Sequence, residues 1–156
     1  DTSTPIVVGY AISLTGCPSD ESTTLIDGAA VLKHSIHLNS IRSTSTSSSS
    51  SSHYDYKMYA IVHPSAIHCS EPLTQLGYTL LQRDIPVPLE DIQGDYLRER
   101  LPKNGCCGEK EFIKLWAYTL VEHPIVVHLD LDTVVLQPMD DLFDAMLVDR
   151  TADDTE

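Results

Sequence analysis

The sequence predicts an α/β domain, a mostly parallel sheet with helices on both faces. Three observations point there. Apolar, β-rich runs at residues 6–14, 56–62 and 125–129 alternate with stretches of helical spacing. Parallel strands need crossover connections, and helices usually supply them. The runs are apolar with little alternation, as in strands covered on both sides. With 156 residues, 42% hydrophobic and 21% charged, the chain is one domain with core enough to fold.

The elements follow in order. The first strand is centred on residues 10–14, and 15–24 (TGCPSDESTT) is loop chemistry. A helix follows from Thr24, with Asp27 three residues on in a capping-box pattern. Leu25, Ala29, Leu32 and Ile36 form its apolar face. Gly28 inside it costs about 1 kcal/mol relative to Ala. Close approach of a backbone or ligand would explain its presence, and so would simple tolerance. Residues 43–52 (STSTSSSSSS) cannot bury apolar surface and read as a disordered inserted spacer. Residues 56–62 are the second strand. Ser70 can cap a helix with Pro72 in its first turn and Leu73, Leu76, Leu80 and Leu81 on its apolar face. Residues 85–89 (IPVPL) are too rich in proline for a central strand and read as an edge strand or extended segment. Residues 109–122 form the last long helix, burying Phe112, Leu115, Trp116, Thr119 and Leu120. Residues 125–129 are the final core strand, and 140–147 a short helix. Residues 1–148 are thus read as one domain, and 149–156 as an acidic, solvated tail.

Composition narrows the function. A formal net charge of −13 argues against a nucleic-acid surface and against electrostatic membrane binding. No apolar stretch approaches the roughly 20 residues of a membrane helix. The chain starts at Asp1 and ends in the tail, which reads as a piece of a longer or processed protein. The cysteines, Cys17, Cys69, Cys106 and Cys107, form no CxxC pair, which argues against zinc. Adjacent Cys106 and Cys107 are poorly placed to bond each other. Pairing of Cys17 with one of them stays open, as does the redox compartment. The seven histidines read as surface or structural residues.

The chemistry is concentrated in HPIVVHLDLDTVVLQPMDDLFD, residues 123–144. An apolar strand there delivers Asp130 and Asp132 at its end. Residues two apart on a strand share a face, so extended geometry would aim both carboxylates at one spot. Hard divalent cations such as Mn²⁺ or Mg²⁺ take oxygen ligands of this kind. Ligands of parallel sheets bind beyond the carboxyl ends of the strands, where Thr15 also falls.

Residues 112–144 (FIKLWAYTLVEHPIVVHLDLDTVVLQPMDDLFD) resemble the signature of glycosyltransferase family 8, the glycogenin-like enzymes. AISLT at 11–15 is similar to that family's first strand, and GAAVL at 28–32, followed by Ser35 and Ile36, to the helix after it. The resemblance covers the family's N-terminal, nucleotide-binding half and implies a GT-A-type, Rossmann-like domain. It also implies a hexosyltransferase that moves sugar from a UDP-sugar to an unknown glycan, protein or lipid acceptor, with retention of configuration. Asp130 and Asp132 would hold Mn²⁺ or Mg²⁺, with Leu131 between them at the nucleotide sugar. Leu14 and Thr15 would line the uracil pocket, and Lys114 would lie near the sugar-phosphate. The sequence departs from the family pattern in the Gly16-Cys17-Pro18 loop. It also has no counterpart of the later histidine that serves the family as third metal ligand. No catalytic residue is named, and the compartment stays open between Golgi lumen and cytoplasm.

Two other readings compete. Asp130-Leu131-Asp132-Thr133-Val134 also fits the first motif of haloacid-dehalogenase-like phosphatases, with Asp130 as nucleophile and Asp132 as general acid/base. That motif normally opens its domain, and here it stands near the end. A non-catalytic nucleotide-sugar-binding fragment is the other.

Overall fold

The computed structural model describes residues 5–18, 23–40, 54–103 and 107–153, with side chains described up to Leu147. The Ser-rich spacer at 43–52 lies outside the described residues. Four parallel strands form one sheet: β1 (Ile6–Leu14), β2 (Tyr54–Val62), β3 (Thr79–Gln82) and β4 (Val126–His128), in the order β3-β2-β1-β4. The helices are α1 (Thr24–Ser40), α2 (Glu71–Gln75), α3 (Asp95–Arg100) and α4 (Asp140–Asp153). Two 3-10 segments matter below, Pro64–Cys69 after β2 and Gly108–Thr119 before β4.

The strand order decides which face each connection covers. Crossovers between parallel strands are right-handed, so connections running in opposite directions along a sheet lie on opposite faces. From β1 to β2 to β3 the chain steps one way, and α1 and α2 pack on one face with Leu32, Ile36 and Leu73 buried. From β3 it returns past β1 to β4, and the Gly108–Thr119 segment covers the other face with Ile113 and Ala117. Phe143 of α4 returns to the first face. The expected architecture of a parallel, Rossmann-like sheet covered on both sides is therefore present.

Individual elements differ from expectation. The helix predicted to carry Leu73 through Leu81 stops at Gln75, and Leu80 and Leu81 lie in β3. Gly77, at φ +85°, explains the break, because a left-handed residue ends a helix and turns the chain. Ser70 does not cap α2 through its side chain, and its hydroxyl donates to the Ile67 carbonyl at 2.8 Å. The edge strand is β3, and residues 85–88 belong to no strand. Thr23 pairs with Asp27, its hydroxyl donating to the carboxylate at 2.6 Å. The long helix at 109–122 is a 3-10 run that buries Ile113 and Ala117, while Leu115 and Thr119 face solvent; Leu120, just past the run, is buried as expected. The buried positions keep the four-then-three interval of a helical stripe, with Ile113 and Ala117 set one residue away from the predicted one. The short helix at 140–147 runs on to Asp153 as α4.

Candidate functional site

Chain direction along the sheet reverses between β1 and β4, the topological switch point at which open α/β sheets bind ligands. Ala11 pairs with His128, and the Leu129 amide donates to the Ala11 carbonyl at 2.9 Å. Asp130 follows directly on that bond, just beyond the carboxyl end of β4. Thr15 and the two carboxylates therefore belong to neighbouring strand ends.

Strand alternation does not present the carboxylates, as the sequence suggested. β4 stops at His128, and Asp130 opens a turn closed by the Thr133 amide donating to the Asp130 carbonyl at 3.1 Å. Leu131 turns inward and packs on the core, with Asp130 and Asp132 exposed on either side. Gly28 explains how the turn seats. A Cβ on it would lie 3.0 Å from the Leu131 carbonyl oxygen. Of the two explanations for this glycine, close backbone approach is the one found.

The start of the Gly108–Thr119 segment roofs these strand ends. Lys114 pairs with Glu111 at 2.7 Å. That hydrogen bond raises the ammonium's pKa above its ordinary value, with the Asp130 charge adding to the effect, and lowers that of Glu111. Burial holds His128 below the usual imidazole range, and Lys114 pushes it the same way. His128 Nε2 lies 3.2 Å from the Ser13 hydroxyl. The Thr15 hydroxyl donates to Cys107 Sγ at 3.2 Å, and its carbonyl accepts from Ser65 Oγ at 3.1 Å and Lys110 Nζ at 3.4 Å.

Thr15, Lys114, Asp130 and Asp132 thus gather at one end of the sheet. Leu14 is buried and Leu131 partly so, and both side chains pack in the core. They can offer a ligand little beyond backbone atoms. Sequence reasoning missed Lys110, Glu111 and Ser13. Lys110 stands four residues before Lys114, a spacing that could have flagged it. The arrangement offers two exposed carboxylates, which suit a hard divalent cation, and two ammonium groups, which suit an anionic ligand. No group of three His, Cys, Asp or Glu able to hold a metal occurs among the described residues. From Lys114 and His128 a groove of about 430 Å³ runs along β4 between Leu115, Tyr118 and Val126. It closes at His123, whose Nε2 lies 2.7 Å from the Tyr59 hydroxyl and whose Nδ1 donates to the Val7 carbonyl at 3.0 Å. His123 is therefore a structural tether.

A disulfide joins Cys17 to Cys69, whose Cα atoms are 6.0 Å apart. Pairing of Cys17 with Cys106 or Cys107 is thereby corrected. β1 and β2 are parallel neighbours, so the segments that leave their carboxyl ends meet, and each carries one cysteine. The bond fixes the loop that follows Thr15.

No family model and no curated protein matches the sequence. Among solved structures, the apo form of mouse xyloside xylosyltransferase 1 is similar at a TM-score of 0.47 and 14% identity, over 92% of this chain and 49% of that one. The chain spans about half the length of that structure.

Proposed function

We propose that this chain is the donor-binding part of a metal-dependent glycosyltransferase of GT-A type, similar to family 8, which takes a hexose from a UDP-sugar. The observation that carries the reading is the Asp130–Asp132 turn at the switch point, beside Thr15 and under Lys114. The motif resemblance supplies the substrate class, and the geometry supports it with an exposed acidic pair where a diphosphate can be reached. Asp130 and Asp132 would hold Mn²⁺ or Mg²⁺, which when bound would stabilise the negative charge that builds on a departing diphosphate. Lys114, kept protonated by Glu111 and Asp130, adds a fixed positive charge for the same phosphates. Thr15, with only the backbone of buried Leu14, would face the nucleoside end. The acceptor, whether glycan, protein or lipid, and retention of configuration rest on the resemblance.

Calorimetric titration of UDP with and without Mn²⁺ tests this. The native chain should bind UDP only with the metal. Asp132→Asn should weaken that binding at least tenfold with an unchanged circular dichroism spectrum, because an exposed ligand is lost and no packing is. Equal affinity in the two proteins would sink the metal assignment. Hydrolysis of p-nitrophenyl phosphate without UDP binding would favour the phosphatase.

A further inference from the structure

A second constellation stands at the carboxyl ends of β2 and β3, built from residues that no part of the sugar-transfer reading uses as nucleophile or base. Ser65 Oγ lies 2.7 Å from His63 Nδ1, and His63 Nε2 lies 3.4 Å from Asp84 Oδ1. Lys110 Nζ donates to Ser65 Oγ at 3.1 Å. We propose that Ser65, His63 and Asp84 form a nucleophile, base and orienting carboxylate, able to take an acyl group from a small activated ester.

The local fold fixes the protonation pattern this chemistry needs. The Ser65 amide donates to His63 Nδ1 at 3.2 Å, as His63 caps the 3-10 segment. An acceptor of an amide proton is unprotonated, so in the neutral ring the proton sits on Nε2, facing Asp84. Nδ1 is then unprotonated and shared between the Ser65 amide and the Ser65 hydroxyl proton, the hydroxyl being the closer at 2.7 Å and making its shortest contact there. Thr15 carbonyl, at 3.1 Å, competes for that same proton, but Lys110 also donates to it. Asp84 is held in place because the Ile85 amide donates to its Oδ1 at 2.8 Å, and its carbonyl accepts from the Trp116 indole at 2.7 Å. The 3.4 Å contact is longer than an ordinary hydrogen bond, as such contacts often are before substrate binds. Asp84 is 77% exposed and His63 15%, so the carboxylate acts by fixing the ring's tautomer rather than as a buried charge. Asp84 is therefore a positioning residue.

The reaction balances within these groups and water. Ser65 Oγ attacks the ester carbonyl carbon as its proton passes to His63 Nδ1, and Lys110, whose ammonium lies 3.1 Å from Ser65 Oγ, is the nearby cation for the negative charge that develops. The ester C–O bond breaks, and the departing alcohol takes the proton from His63. Water then attacks the acyl-serine, gives a proton to His63, and releases the acid as the serine oxygen is reprotonated. Ser65 is exposed and open to solvent.

A fluorophosphonate probe tests the assignment, since only an activated serine displaces its fluoride. Peptide mass spectrometry should place the phosphonyl group on Ser65, and Ser65→Ala should abolish it. His63→Ala should slow labelling about a hundredfold, the size of general-base assistance. Asp84→Ala should slow it about tenfold and Asp84→Glu should restore it, with an unchanged melting temperature in both. An inert Ser65 in the native chain would overturn the proposal. So would equal labelling in the native and His63→Ala proteins, which would leave His63 as a helix cap alone, or in the native and Asp84→Ala proteins, which would remove the orienting carboxylate from the assignment. Asp132→Asn, which removes a proposed metal ligand, should label at the native rate.

Discussion

The two faces of the sheet are built to different standards. One is covered by α1, α2 and α4, and sixteen buried residues join in its core among those described. The other is covered by a 3-10 run with six, flanked by exposed Tyr118 and Val121. The 3-10 geometry bonds less well than an α-helix, and sparsely packed segments open at lower free energy. The thick face therefore carries the fold. The thin face carries Lys110, Glu111 and Lys114, the charged groups that roof the strand ends. The Asp130–Asp132 turn is seated on the thick face against α1, and the charged roof above it comes from the thin one.

The largest expected effect tests that division directly. Leu32 and Ile113 are both fully buried, one on each face. Leu32→Ala should cost about 3 kcal/mol in urea unfolding, and Ile113→Ala about 2 kcal/mol, because a thinly covered site collapses more easily around the void. A larger loss at Ile113 would break the comparison. Next comes alkaline pH. Burial raises the phenol pKa of Tyr10, Tyr54 and Tyr78 on the thick face. A raised folded pKa favours the neutral phenol. Its contribution is full below the unfolded value of about 10 and is lost as pH climbs past it. Phenolate absorbance from these residues should appear together with loss of helical signal. Separate, earlier titration would show that the thick face admits water. Smallest in stability is Gly28→Ala. Helix propensity gains about 1 kcal/mol, which offsets much of the crowding against Leu131. Net stability should move by less than about 1 kcal/mol, within the usual range for point changes. Mn²⁺-dependent UDP affinity should nonetheless fall, because the Asp130–Asp132 turn must shift. Unchanged affinity would show that the turn adjusts freely.

Much of the thick face is legible in the sequence, because α1 has a single consistent period. Ala29, Leu32 and Ile36 are buried as their spacing predicts, and Leu25 packs beside them. Leu73, Leu76, Leu80 and Leu81 satisfy the same period, yet they are split between a helix and a strand. Their spacing carries no mark of the left-handed turn at Gly77, which decides the matter. The thin face resisted for a different reason, since Ile113 and Ala117 are buried where Leu115 and Thr119 were expected, and apolar residues stand on both sides of that segment. In the site, Asp130 and Asp132 are close in sequence and easily found. His63, Ser65, Asp84 and Lys110 come from three separate segments, and only the folded sheet brings them together. The cysteine pair is of that kind too.

That pair has a consequence for how the protein comes to exist. Cys17 and Cys69 are 52 residues apart. Closing a loop of that length removes roughly 4 kcal/mol of unfolded-chain entropy, a large share of the few to fifteen that hold a domain together. A chain made where thiols stay reduced would forgo that contribution, and its loop after β1 would lose its anchor. Maturation of the site is thus tied to oxidation. Protein prepared in a reducing host should be oxidised before any ligand is tried.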